Sequence, residues 1–279
     1  TLARLMASFH DGAEPLTVLV ATSGDTGGAV AHAFFGVAGT RVVVLYPAGQ
    51  VSDVQEAQFT TLGGNVTAIA VSGSFDDCQR LAKEAFADRA IRSRVRLTSA
   101  NSISLGRLLP QMFYYAYAAL QCSQPPVISV PSGNFGNLAA GIMAWNLGAP
   151  IGRFSAPTTV NDTVPRFLST GRVEPRASVP TLANAMDVGN PSNLERLQWL
   201  FTGDVVAMRQ MISSTAHTDN AVRAAIAELN ERFGYVADPH TAIAFLGARE
   251  ESRGTLFLST AHPAKFREVV EPVIKKTVQ

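Results

Sequence analysis

Two segments of this chain run from an apolar stretch, through the same glycine turn, into an alanine-rich stretch. They are VLVATSGDTGGAVAHAF (Val18–Phe34) and VISVPSGNFGNLAAGI (Val127–Ile142). A short β-branched run reads as a buried strand, and the Ser-Gly-x-x-Gly turn leads it straight into a helix. Units of this kind, joined in series, build parallel sheets through right-handed crossovers. That excludes an all-helical or an all-antiparallel fold.

The rest of the chain keeps the alternation. LTVLVAT (Leu16–Thr22), RVVVLYP (Arg41–Pro47) and VTAIAVS (Val66–Ser72) read as buried strands. Residues 27–37, 51–62 and 75–87 between and after them are long enough for crossover helices. In the last, Phe75, Cys78, Leu81, Ala82, Ala85 and Phe86 share one face. A long helical stretch over 103–121 precedes Pro125-Pro126, a stop before the second sheet. VISVPS (Val127–Ser132), RFSAPT (Arg153–Thr158) and TLFLST (Thr255–Thr260) supply its strands. The expected class is α/β with two parallel-sheet domains, residues 1–100 and 101–279, divided near Ala100. At 279 residues there is length enough for two cores.

In open α/β sheets, ligands sit outside the carboxyl ends of the strands. Both turns fall there. The first N–H groups of each helix and the helix dipole favour negative charge, and glycine lets a ligand approach the backbone. Ser23, Thr26 and Ser132 add hydroxyls, and Asn134 and Asn137 add amides. The alternative, that the glycines only close tight turns, stands equally on these residues alone. Neither turn is the Gly-x-Gly-x-x-Gly of a dinucleotide site, and no Gly-Lys-Ser/Thr follows.

Other classes drop out. The net charge is +1 with no Lys/Arg run, so neither nucleic acid nor an acidic membrane is an expected partner. No apolar run approaches the ~20 residues of a membrane span, and nothing resembles a signal peptide. Cys78 and Cys122 are expected as reduced thiols. A cytoplasmic protein is the expectation. The five histidines have no metal-ligand spacing. His240 and His262 adjoin prolines at helix starts, where capping is expected.

The blocks ATSGDTGGAVAHAF, YPAGQVSDVQEAQFTTLGGNV, SANSISLGRLLPQMFYYAYA, SVPSGNFGNLAAG, VNDTVPRFL, NAMDVGNPSN, DPHTAIAF and STAHPAKF follow in one order. In that order the chain resembles the threonine synthases, pyridoxal-phosphate enzymes of fold type II, from Ala3 to about Val270. The resemblance implies two α/β sheets with pyridoxal 5′-phosphate in the cleft between them. It also implies conversion of O-phospho-L-homoserine and water to L-threonine and phosphate. Cofactor and substrate each carry a phosphate, which would account for two anion turns.

By the same resemblance Gly133, Asn134, Phe135, Gly136 and Asn137 would hold the cofactor phosphate. Asp25 would face the cofactor's 3′-oxygen, and Thr260 would partner its pyridine nitrogen. Several relatives carry asparagine where Asp25 stands. Thr22, Ser23, Gly24, Thr26, Asn101, Ser102 and Arg107 would bind the substrate, Arg107 gripping its phosphate. The lysines are Lys83, Lys265, Lys275 and Lys276, and none matches the family's Schiff-base lysine. That residue is expected just upstream of Thr1, which makes the chain a fragment, inactive by itself. Two alternatives are a serine/threonine dehydratase of the same cofactor family and a non-catalytic protein binding phosphorylated metabolites.

Overall fold

The computed structural model describes residues 2–9, 14–101, 104–251 and 254–278. The chain forms two compact units, residues 1–107 and 108–279.

The first unit holds α1 (Leu2–Ser8), β1 (Leu16–Ala21), α2 (Asp25–Phe34), β2 (Thr40–Pro47), α3 (Asp53–Thr60), β3 (Val66–Val71), α4 (Phe75–Ala87), α5 (Arg89–Arg92) and β4 (Arg96–Ser99). Its strands pair in the order β3-β2-β1-β4, all parallel. Successive side chains of a strand point to opposite faces, and the core divides accordingly. Val18, Val20, Val42 and Val44 pack with Val30, Phe34 and Phe59 of α2 and α3. Leu19, Ala21 and Leu45 pack with Cys78 and Ala82 of α4. Each valine, leucine or phenylalanine side chain so buried contributes roughly 1.5–3 kcal/mol.

VTAIAVS departs from the reading as a buried strand. It lies at the sheet edge, with Ile69 45% exposed. β4 was not legible, because RLTS is four residues with an arginine start and no apolar run.

In the second unit, α6 (Leu105–Leu120, which begins within the first) leads to β5 (Val127–Ser129), α7 (Gly136–Asn146), β6 (Arg153–Ser155) and α8 (Thr163–Thr170). A 3-10 turn (Asn184–Met186) follows, then α9 (Leu194–Leu200), α10 (Val205–Met211), β7 (Ile212–Ser213), α11 (Asp219–Phe233), α12 (Pro239–Arg249) and β8 (Thr255–Phe257). A second 3-10 turn (Pro263–Phe266) and α13 (Arg267–Ile274) complete it. The parallel order is β7-β6-β5-β8. Ile128, Val130 and Phe154 pack on one face with Leu138 and Ile142 of α7. On the other face the Ser129 and Ser155 hydroxyls donate to the Ala244 and Gly247 carbonyls of α12, at 2.6 and 3.3 Å.

The two sheets share one plan. β1 has β2 on one side and β4 on the other, and β5 has β6 and β8. The loops after β1 and β5 therefore both lie where the strand order reverses, the usual address of a ligand in such sheets.

Candidate functional site

The loop after β1 is shaped by Thr22, which is fully buried. Its Oγ1 accepts the N–H groups of Gly24 at 2.9 Å and Gly27 at 2.7 Å. Gly24 has φ +139°, a conformation open in practice to glycine alone. It is also crossed by the buried amide of Gln55, whose Cδ would lie 2.6 Å from any Cβ there. Gln55 completes a capping box with Ser52 at the start of α3, and its Nε2 donates to Asp25 Oδ1 at 3.2 Å. Asp25 is the first residue of α2, where a carboxylate suits the dipole. Ser23 and Thr26 are partly exposed, and their side-chain hydroxyls have no hydrogen-bond partner among the described residues.

Asn101 lies after β4, beside this loop. Its Nδ2 donates to the Ala21 carbonyl at 2.6 Å and its Oδ1 accepts the Ala21 N–H at 3.1 Å. The amide thus extends the β1–β4 ladder by one step. Arg107, in the first turn of α6, donates from Nη1 to the Ala100 carbonyl at 3.0 Å. That bond holds the guanidinium at the carboxyl end of β4. Ser102 lies outside the described residues.

The loop after β5 is built differently. Ser132 is buried and donates to the Val130 carbonyl at 2.8 Å. A Cβ on Gly133 would meet the Met186 Cα at 2.5 Å, so backbone there packs on backbone. Asn134 is held at both ends: its Oδ1 accepts the Ser192 N–H at 2.6 Å, and its carbonyl accepts from Asn193 Nδ2 at 2.9 Å. Phe135 takes the left-handed conformation, φ +59°, with its ring buried in the core. It caps α7, and Ala139 is the first residue whose N–H bonds back, to Phe135, at 2.9 Å. The N–H groups of Gly136, Asn137 and Leu138 are left at the start of the helix. The Asn137 Oδ1 accepts from the Tyr115 hydroxyl at 2.8 Å and from Tyr114. α7 has no acidic residue in its first turn. A helix start of this kind can receive an anion.

Thr260 lies past the end of β8, the neighbour of β5. It is exposed, and its hydroxyl has no partner among the described residues. The preceding residue, Ser259, belongs to a polar chain: its Oγ lies 3.1 Å from both the Tyr235 hydroxyl and the Thr241 Oγ1. Thr241 in turn donates to the buried Asp238, which also binds His240 Nδ1 at 2.8 Å. Burial pushes the Asp238 carboxyl up, but the bonds from His240 and Thr241 outweigh it and the net shift is downward.

Three of these groups went unread in the sequence. Gln55 and Asp238 act through bonds to residues that no periodicity singles out. Asp238 rather than His240 caps α12, while His262 does cap its 3-10 turn, its Nδ1 accepting the Ala264 N–H at 3.2 Å. Asp187, in NAMDVGNPSN, ties the segment behind Gly133. It accepts from the Thr181 N–H at 2.8 Å, the Thr181 hydroxyl at 2.6 Å and Asn161 Nδ2 at 3.1 Å. Burial raises its carboxyl to about 7 against the pull of those Thr181 bonds. Both cysteines are free thiols, Cys78 raised by burial to about 11. No group of His, Cys, Asp and Glu able to hold a metal occurs among the described residues.

Comparison with known proteins agrees with this geometry. Residues 1–257 match the family of pyridoxal-phosphate dependent enzymes. The chain is 49% identical to threonine synthase of Serratia marcescens and 47% identical to that of Escherichia coli (strain K12), over 98% of its own length. It spans 65% of the length of either. The crystal structure of the Escherichia coli threonine synthase superposes with a TM-score of 0.94 at 45% identity, over 99% of this chain and 66% of that one. The pyridoxal-phosphate-bound threonine synthase of Brucella melitensis gives 0.89 at 35% identity, over 99% and 67%. A threonine deaminase from Solanum lycopersicum, at 14% identity and a TM-score of 0.69, shares the fold alone. The chain, with two parallel-sheet units of the fold type II class, belongs to the pyridoxal-phosphate dependent enzyme family and groups within it with the threonine synthases.

Proposed function

We propose that this chain carries the anion-binding machinery of a threonine synthase, which forms L-threonine and phosphate from O-phospho-L-homoserine and water. The observation that carries the reading is the loop after β5. Gly133 pressed on the Met186 backbone, left-handed Phe135 and the acid-free start of α7 suit a phosphate ester that stays in place. Gly133, Asn134, Phe135, Gly136 and Asn137 would hold the cofactor phosphate. The bound pyridoxal phosphate would supply an electron sink for proton loss beside an amine. Thr260 would offer the pyridine nitrogen a neutral hydroxyl, leaving it less protonated than a carboxylate would. Asp25, oriented by Gln55, would face the 3′-oxygen.

In the loop after β1, Ser23, Gly24 and Thr26 would bind the substrate together with Ser102 and Arg107. A guanidinium can meet a phosphate with two parallel bonds, and charge drawn off there makes phosphate a better leaving group. Thr22 and Asn101, assigned to the same task, would serve it by shaping the loop, since their bonds run to Gly24, Gly27 and Ala21. None of the four lysines is buried. An imine-forming amine is activated by desolvation or a cationic neighbour, so we place the Schiff-base lysine outside this set. Among the described residues no helix is long and apolar enough to cross a membrane. With two free thiols, the cytoplasm is the compartment we propose.

The test is a product assay on the protein that includes the segment supplying the Schiff-base lysine, loaded with pyridoxal phosphate. Phosphate release from O-phospho-L-homoserine supports the reading. Ammonia release from serine or threonine instead would make it a dehydratase. Tight binding of both phosphate esters with neither product would favour the non-catalytic alternative.

A further inference from the structure

The amide of Asn137 has two unlike ends. Its oxygen repels an anion and its N–H2 attracts one, and the shape of the side chain is nearly the same either way round. What fixes the choice is α6. The Asn137 Oδ1 accepts from the Tyr115 hydroxyl at 2.8 Å and from the Tyr114 hydroxyl, and Tyr115 also reaches the Asn137 carbonyl at 3.1 Å.

Tyr115 is fully buried and meets Phe154 edge-on, with centroids 5.9 Å apart. It fits into a notch on α7. A Cβ at Gly141 would come within 2.9 Å of the Tyr115 Cζ and 2.7 Å of the Phe154 Cε1. Burial, and after it the neighbouring Tyr114, raise the Tyr115 phenol well above its ordinary range, so it stays a neutral hydroxyl. With its oxygen engaged from the α6 side, the Asn137 amide presents its nitrogen at the first turn of α7. Among the described residues that nitrogen has no hydrogen-bond partner.

We propose that Tyr115, assisted by Tyr114, is a positioning residue for the phosphate site: it orients Asn137 so that the amide N–H2 faces a bound phosphate monoester. The proposal rests on the reading of the loop after β5 as the cofactor-phosphate site. The general chemistry is simple: a buried donor that claims the oxygen of an amide selects its other end for the ligand.

Pyridoxine 5′-phosphate and pyridoxine are suitable probes, because neither has an aldehyde and they differ only in the phosphate. Their dissociation constants, measured by fluorescence titration, give a phosphate preference for each variant. Tyr115→Phe should lower that preference about tenfold, through the phosphate ester alone, as expected for a hydrogen bond to a charged group. Asn137→Ala should do the same, and the double variant should be no worse than Asn137→Ala, since Tyr115 acts through Asn137.

If Tyr115→Phe weakens both ligands equally, or leaves the preference unchanged, or adds its full loss to that of Asn137→Ala, the proposal is overturned. Should Tyr115→Phe fail to fold, Tyr114→Phe, at an exposed position, removes the second donor. It should lower the preference about threefold, and no change there also overturns the proposal. Gly133→Val separates the two layers. A preference that survives both Gly133→Val and Asn137→Ala removes the phosphate-site reading itself. One lost in Gly133→Val but kept in Asn137→Ala removes only the role given to Tyr115.

Discussion

The loops after β1 and β5 occupy the same address in two sheets of the same plan, yet they are held differently. The first is held by side chains: Thr22 Oγ1 gathers two N–H groups, and the Gln55 amide crosses Gly24 and grips Asp25. The second adds backbone packing, Met186 against Gly133, to side-chain bonds that tie Asn134 to the 192–193 segment. The helix starts differ too. α2 opens with its own carboxylate, Asp25, which partly offsets the positive end of the dipole, and α7 opens with none. A backbone-walled, uncharged cradle suits an anion that remains bound. A loop with a resident carboxylate, and with hydroxyls that have no partner among the described residues, suits one that arrives and leaves. On the proposed reading, two copies of one sequence motif would divide into a cofactor end and a substrate end by what surrounds them.

The largest expected effect breaks the second loop. In Gly133→Val the new Cβ meets backbone at 2.5 Å, which no rotamer change relieves. Overpacking of this kind costs about 1–3 kcal/mol or more. Cofactor binding should fall about tenfold or more in a pyridoxal-phosphate titration, as expected when hydrogen bonds to a charged group are displaced, while the thermal midpoint of the first unit stays put. Retention of wild-type cofactor affinity would end the cofactor assignment of this loop. Arg107→Ala comes next. It should weaken O-phospho-L-homoserine by about 1.5–3 kcal/mol, the range for hydrogen bonds to a charged group, and leave cofactor affinity nearly unchanged. Equal losses for both ligands in calorimetric titrations would mean that the two loops are not separate in function.

Gly24→Ala probes the contrast in how the loops are held. Alanine at φ +139° is strained by roughly 1–3 kcal/mol, but the atoms it meets belong to the Gln55 side chain, which can move. Because Gln55 also orients Asp25, the damage should spread to substrate affinity and leave the cofactor phosphate alone. The added substitution Gln55→Ala, which clears the space, should recover part of the lost stability in chemical denaturation. No recovery would show that backbone strain dominates and that the Gln55 contact is incidental.

The alternation of strand and helix was legible because Leu19, Val20, Val42 and Val44 are consecutive or near-consecutive apolar residues buried on both sheet faces. The two turns were legible because Ser-Gly-x-x-Gly follows an apolar run, but what fills the space at the glycines, Gln55 at Gly24 and Met186 at Gly133, was not. β3 misled, since Val66–Val71 has a buried strand's composition at an edge position, and exposure is decided by neighbours that composition does not name. Long-range polar partners were out of reach for a related reason. Gln55 lies 30 residues from Asp25, and Tyr115 lies 22 from Asn137. Each is one polar residue on an otherwise ordinary helix until the fold brings its partner to it.

The smallest expected effect is none, and it sharpens what each loop lacks. Both loops offer donors to anions, but neither carries an amine. Lys83 is exposed on α4, Lys265 lies in a 3-10 turn five residues past Thr260, and Lys275 and Lys276 are exposed after α13. The amine of a Schiff base is activated by desolvation or a cationic neighbour, and none of these lysines is buried. Incubated with pyridoxal phosphate and reduced with borohydride, this chain should give no adduct above the scatter expected of surface lysines. Cofactor phosphate should still bind reversibly at the loop after β5. Mass spectrometry of the reduced, digested protein decides the matter, because reduction makes any imine permanent. Stoichiometric cofactor on Lys265 would move the reactive amine to the segment that bears Thr260. The division of labour between the loops would then have to be redrawn around a single, complete site in the second unit.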